Sequence, residues 1–223
     1  TGTAVGLFEG ASPLLQALRA EGVVADEPWD ESRGIHFNAL DPQVVARLED
    51  ALRAGQVRYV HAAPPPEGLD ESAPRTEAYP LGTPDVRYGK AREAWAPAVH
   101  LGTARVGCAL EVARRAARLQ VPWSIAAPVN SWCWHLPTAL WFREAHLVHT
   151  CVRGSTQWWT SHPLPKGGGG VAPGPAAADF RAVARAACDA MTASPHWKAS
   201  ASDAPPEEDA VSDADSLEGL AAQ

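Results

Sequence analysis

A run of seven residues, Val57-Arg58-Tyr59-Val60-His61-Ala62-Ala63, leads directly into three prolines, Pro64 to Pro66. β-Branched, aromatic and small residues in one short run read as a buried strand. Proline has no N–H to give a sheet ladder, so the strand must stop where the prolines begin. In a parallel α/β sheet the carboxyl end of a strand is where a ligand sits. The end of this strand is therefore the expected floor of a site.

The flanking chain supports such a sheet. Thr3 to Phe8 reads as a short buried strand, followed by a turn at Glu9-Gly10-Ala11-Ser12-Pro13. Ser12 is a good helix cap, with Pro13 in the first helical position. Leu14, Leu15 and Leu18 give one apolar face, and Gly22 stops the helix. Val23-Val24-Ala25 reads as a second strand, followed by Asp26, Glu27 and Asp30. Strand, turn, helix, strand, acid is the order of a nucleotide-type binding half, although a plain βαβ unit has the same order. Asp41-Pro42 repeats the cap-plus-proline start, with Val44, Val45, Leu48 and Leu52 facing inward and Gly55 at the end. The expected fold class is α/β: a three-layer, doubly wound, mostly parallel sheet of Rossmann-like form.

Residues 66–95 lack periodicity and read as a long loop. A helix is predicted over 101–119, with Arg105, Arg114, Arg115 and Arg118 on its solvated side. Val121 to Pro128 reads as another strand ended by proline. A further strand is predicted over 145–151, with 154–160 as its hairpin partner. Lys166 and Gly167 to Gly170 open a linker, and Ala176 to Met191 can form one amphipathic helix. The expected organisation is a domain over 1–165, a Gly/Pro linker over 166–175, a helical segment over 176–198 and an acidic disordered tail over 199–223.

Composition narrows the class. With 46% apolar residues, the 223-residue chain can bury a sizeable core. The formal charge of −7 is concentrated at one end, since seven acids from Asp203 to Glu218 are followed by no base. Without them, 19 acids face 19 Lys plus Arg, so charge neither favours nor excludes a nucleic acid. No apolar run approaches the roughly 20 residues needed to cross a membrane, and no signal peptide opens the chain. The four cysteines are widely spaced with no CxxC pair, which suggests reduced thiols and an intracellular protein.

The order of these pieces resembles the C5-cytosine DNA methyltransferases. More narrowly, it resembles the divergent methyltransferase-like domains of some large eukaryotic genomes, often found beside retroelement genes. The resemblance covers roughly residues 3–161. Leu7-Phe8-Glu9-Gly10 stands where the family has its Phe-x-Gly-x-Gly loop for S-adenosylmethionine. Asp26 or Asp30 stands where an acid would hold the ribose, and Asn38 stands near the adenine position. Ala63-Pro64-Pro65-Pro66 stands at the Pro-Pro-Cys motif. Ile125 to Ser131 resembles the Glu-Asn-Pro segment, and Cys151-Val152-Arg153-Gly154-Ser155 resembles a later strand and turn. The resemblance implies the class I methyltransferase fold and S-adenosylmethionine held by Phe8, Glu9, Gly10, Asp26, Asp30, Asn38 and Pro64. It also implies DNA as partner, met by Arg153, and a nuclear location.

The departures bear on the chemistry. C5 methylation needs a thiolate to add to C6 of cytosine and a carboxylic acid at the ring nitrogen. Their positions hold Pro66 and Ala126, and neither side chain can do this work. Ser12 and Pro13 replace glycines of the cofactor loop. The expected function is a catalytically impaired, C5-cytosine methyltransferase-like pseudo-enzyme. The alternatives are a non-catalytic nucleic-acid-binding or scaffold domain, a methyltransferase for another acceptor, and a relic without a role. Cys133, His135, His146, His149 and Cys151 are candidate metal ligands. Strand alternation, however, would turn His146 away from His149 and Cys151, and zinc needs four converging groups. Of the nine tryptophans, the clustered Trp132, Trp134, Trp141, Trp158 and Trp159 read as core and sheet-face packing rather than base-stacking platforms, and Ser131 and Ser155 lack nucleophile-elbow glycines.

Overall fold

The computed structural model describes residues 2–10, 12–66, 68–69, 89–164 and 176–194. The predicted linker, the acidic tail, Glu67 and most of the predicted long loop lie outside them. The described chain forms a mixed α/β structure around one open five-stranded sheet. Its strands are β1 (Thr3–Leu7), β2 (Val57–Ala62), β3 (Trp123–Pro128), β4 (His149–Arg153) and β5 (Thr156–Thr160), in the order β1-β2-β3-β5-β4. β1, β2 and β3 pair in parallel, while β5 runs antiparallel to both β3 and β4. The sheet is thus parallel in its first half only, which corrects the mostly parallel expectation. The 156–160 strand returns from β4 through the Gly154-Ser155 turn, and a two-residue turn can join only antiparallel neighbours.

Local sequence signals set the first helices. Helix α1 (Pro13–Ala20) starts on Ser12, whose Oγ accepts from the Leu15 N–H at 3.1 Å. Helix α2 (Pro42–Arg53) starts on Asp41, whose carboxylate accepts from the Gln43 N–H at 2.9 Å. Both carry proline in their first turn, and each chain exit passes through a left-handed glycine, Gly22 or Gly55. Helix α3 (Gly89–Arg118) is longer than predicted, so 89–95 are helical rather than loop. Helices α4 (Pro137–Ala145) and α5 (Ala176–Ala193) complete the set.

Helices cover both faces of the sheet. Val5, Leu7, Val60, Trp123, Ile125 and Trp159 pack with residues of α2, α3 and α4. Their strand neighbours Ala4, Tyr59, Ala126 and Trp158 point the other way, onto Leu14, Leu15 and Leu18 of α1 and Val183, Ala187 and Met191 of α5. The helical segment after the linker therefore shares the core of the unit it follows. No helix of the described residues is long and apolar enough to cross a membrane.

Three further expectations change. Residues 23–25 form no strand, only isolated parallel bridges from Ala25 to Ala4 and Trp29 to Leu7. Pro28 interrupts any ladder there, and Val24 is 60% exposed. The strand predicted over 145–151 begins only at His149, because α4 runs to Ala145 and buries Ala139 and Phe142 at helical spacing. His146 is the helix cap, so the alternation argument about its direction does not apply. Arg105, expected in solvent, is buried and paired with Glu31, while Arg115 is paired with Glu49 and Glu111.

Candidate functional site

A cleft of about 330 Å³ lies at the carboxyl ends of β1, β2 and β3. Its floor is the end of the strand that runs into the prolines. Three distant stretches supply its walls: Phe8 and Glu9 after β1, Pro64 to Pro66 after β2, and Ala126 and Ala127 on β3. Trp158 of β5 and Phe180 of α5 close one side.

The turn after β1 sets the polar end. Phe8 takes a left-handed backbone at φ 62°, which costs a side-chain-bearing residue roughly 1 kcal/mol. The turn brings the Glu9 carboxylate back over β1. A Cβ on Gly6 would stand 3.0 Å from Glu9 Oε2 and 2.9 Å from a Leu15 methyl, so a side chain there would have to displace one of them. Glu9 is buried, and its Oε2 accepts from the Ser12 hydroxyl. Ser12 thus caps α1 and anchors Glu9 with the same oxygen.

His61 faces Glu9 from β2. Its Nε2 stands 3.0 Å from Glu9 Oε1, close but without aligned hydrogen-bond geometry. On the other side of the ring, His61 Nδ1 lies 2.7 Å from Ser124 Oγ. Ser124 also accepts from the Tyr59 hydroxyl at 2.9 Å. Tyr59 and His61 share a face because strand side chains alternate, and Ser124 is the cross-strand partner of His61. The result is a buried polar chain from Tyr59 through Ser124 and His61 to Glu9. Burial raises the Tyr59 hydroxyl pKa well above its ordinary range, so it stays protonated and donates.

The site residues named from the resemblance separate into two groups. Phe8, Glu9, Pro64, Pro66 and Ala126 all line the cleft. Gly10, Asp26, Asp30, Asn38 and Arg153 do not. Gly10 is exposed, and a Cβ there would meet nothing. Asp26 lies beside Thr3, at the amino end of β1 and thus the wrong end of the sheet. Asp30 follows the bridge at Leu7 and reaches the correct edge, but its carboxylate caps the turn over 31–33 by accepting from Ser32. The Asn38 side chain accepts from the Leu40 N–H, and Arg153 sits on the edge strand β4. S-adenosylmethionine therefore finds only part of its donor set here. Phe8, Glu9 and Pro64 fit a ligand in the cleft, whereas the two acids do not fit a ribose there.

No cysteine of the described residues lines the cleft. Cys133 belongs to the core on the opposite face, and burial pushes its thiol up to about 12. Cys108 donates to the Ala39 carbonyl and is pushed up to about 11 by burial. Neither offers a thiolate near neutral pH. Among the described residues, no three His, Cys, Asp or Glu side chains gather as metal ligands. Trp134, Trp158 and Trp159 are buried, as the core reading expects, while Trp141 is exposed.

Sequence reasoning missed the roles of His61, Ser124 and Tyr59. The available signal was a histidine inside an otherwise apolar strand, two residues from a tyrosine. No family model, curated protein or solved structure matches the chain.

Proposed function

We propose that the chain is a methyltransferase-like protein of the class I, three-layer fold that keeps a strand-end ligand cleft and has lost cysteine-dependent C5 chemistry. One observation carries this reading. Stretches separated by more than a hundred residues in sequence, which the resemblance assigns to a single site, meet in one cleft. The loss of chemistry rests on the side chains there. Pro66 and Ala126 stand at the nucleophile and acid positions, and the buried thiol of Cys133 lies on the other face of the sheet.

DNA and a nuclear location enter this reading through the resemblance. The arginines of α3 add little to them, since Arg105, Arg114 and Arg115 are engaged by Glu31, Glu49 and Glu111.

The test is calorimetric titration of S-adenosylhomocysteine into the whole chain. The 1–165 portion will not serve, because Phe180 of α5 lines the cleft. Binding in the micromolar range is expected. A folded protein that takes up none at millimolar ligand would exclude the methyltransferase reading. A cytosine-containing duplex should show neither methylation nor a covalent adduct.

A further inference from the structure

Among the described residues lining the cleft, the ionisable side chains are Glu9 and His61. Tyr59 donates to Ser124 Oγ, which lies 2.7 Å from His61 Nδ1. His61 Nε2 faces Glu9 Oε1 at 3.0 Å. Ser12 donates to the other Glu9 oxygen. The contacts of this buried row gather on Glu9. Glu9 is the one carboxylate among the described residues that line the cleft.

The remaining walls are largely apolar, with Ser155 and Thr156 as their polar members. Pro64, Pro65 and Pro66 carry no N–H, so this rim cannot form the nest of amides that holds a phosphate or carboxylate. Trp158 lies against His61 with ring centres 5.5 Å apart, and Phe180 meets Trp158 edge-on at 5.7 Å. A buried carboxylate beside aromatic rings in a largely apolar cleft suits a positively charged organic group.

We infer that the cleft is a binding site for a small organic cation, an ammonium group on an apolar or aromatic body, with Glu9 as counter-charge and Trp158 and Phe180 as flanking rings. This rests on the reading of the cleft as a ligand site and is independent of methyl transfer.

The experiment uses the full chain and three probes with one ring: benzyltrimethylammonium, benzyl alcohol and benzoate. Binding is read by calorimetry and by tryptophan fluorescence. The cation should bind most tightly and benzoate least. Glu9→Gln keeps the shape and removes the charge, and should weaken the cation by at least about tenfold while leaving benzyl alcohol unchanged. Equal affinities for the three probes would overturn the inference, as would a folded Glu9→Gln protein with undiminished cation affinity. If Glu9→Gln fails to fold, the ranking of the three probes on the native chain decides alone. S-adenosylhomocysteine separates the two proposals. Cation binding without it leaves the inference and removes the methyltransferase reading; the reverse result removes the inference alone.

Discussion

On the face of the sheet covered by α2, α3 and α4, the inward residues of the inner strands are apolar: Val5, Leu7, Val60, Ile125 and the indoles of Trp123 and Trp159. On the face covered by α1 and α5, the same strands turn Tyr59, His61, Ser124 and Thr160 into an equally dry interior. The two faces are buried to the same degree and differ in how they are held. The first depends on area removed from water and on shape. The second also buries hydroxyl and imidazole groups that pair with one another, and an unpaired buried group costs more than a paired one contributes. The cleft opens on the second face.

This contrast can be broken by substitution. Phe142 packs edge-on against Trp123 at 5.4 Å on the apolar face. Phe142→Ala should cost about 3–5 kcal/mol in urea unfolding, through lost burial and the cavity left behind. Ligand binding in the cleft should be unaffected in the folded fraction.

On the polar face, His61→Leu removes one partner and leaves Glu9 buried beside an apolar side chain. A loss of about 3 kcal/mol is expected. A variant as stable as the parent would show that the polar row contributes nothing to folding, and the contrast between the faces would fail.

Acid should act on the polar face first. His162 packs against Tyr59 at 5.9 Å, and burial, helped by His149, lowers it to about 4. The unfolded chain binds this proton near pH 6.5, so falling pH favours unfolding. Nothing is lost above that pH, about 2 kcal/mol is lost by pH 5, and the loss is complete only below about 4. His162→Leu should flatten this slope in denaturation curves taken at pH 7 and pH 5. An unchanged slope would assign the acid sensitivity elsewhere.

The smallest effect sharpens the comparison at a single oxygen. Ser12→Ala removes both the α1 cap and the anchor of Glu9, and should lower the melting free energy by about 1 kcal/mol. The informative readout is cation affinity. It should fall in Ser12→Ala and be restored in Ser12→Thr, which keeps the hydroxyl.

Much of the framework was legible in the chain because its causes are local. Ser12-Pro13 and Asp41-Pro42 open helices through bonds to amides two or three residues away. Gly22 and Gly55 end them through a backbone shape that other residues resist. The prolines stop β2 because they lack a hydrogen. The 23–25 strand failed, and the 145–151 strand was misjudged, where short apolar runs suit either period and packing made the choice.

The site divides along the same line. Phe8, Glu9, Pro64, Pro66 and Ala126 could be named from short motifs, and the loss of a cysteine and an acid follows from their identities alone. The partnership of Glu9 with His61 could not be read, since it joins the turn after β1 to β2, and these strands pair only after the chain crosses over through two helices. The same holds for Ser124 beneath His61, which depends on the register of β2 against β3, and for Phe180, which reaches the cleft from the far side of the linker. Identity and local spacing are properties of the chain as written. Convergence and burial come into being only when distant strands meet.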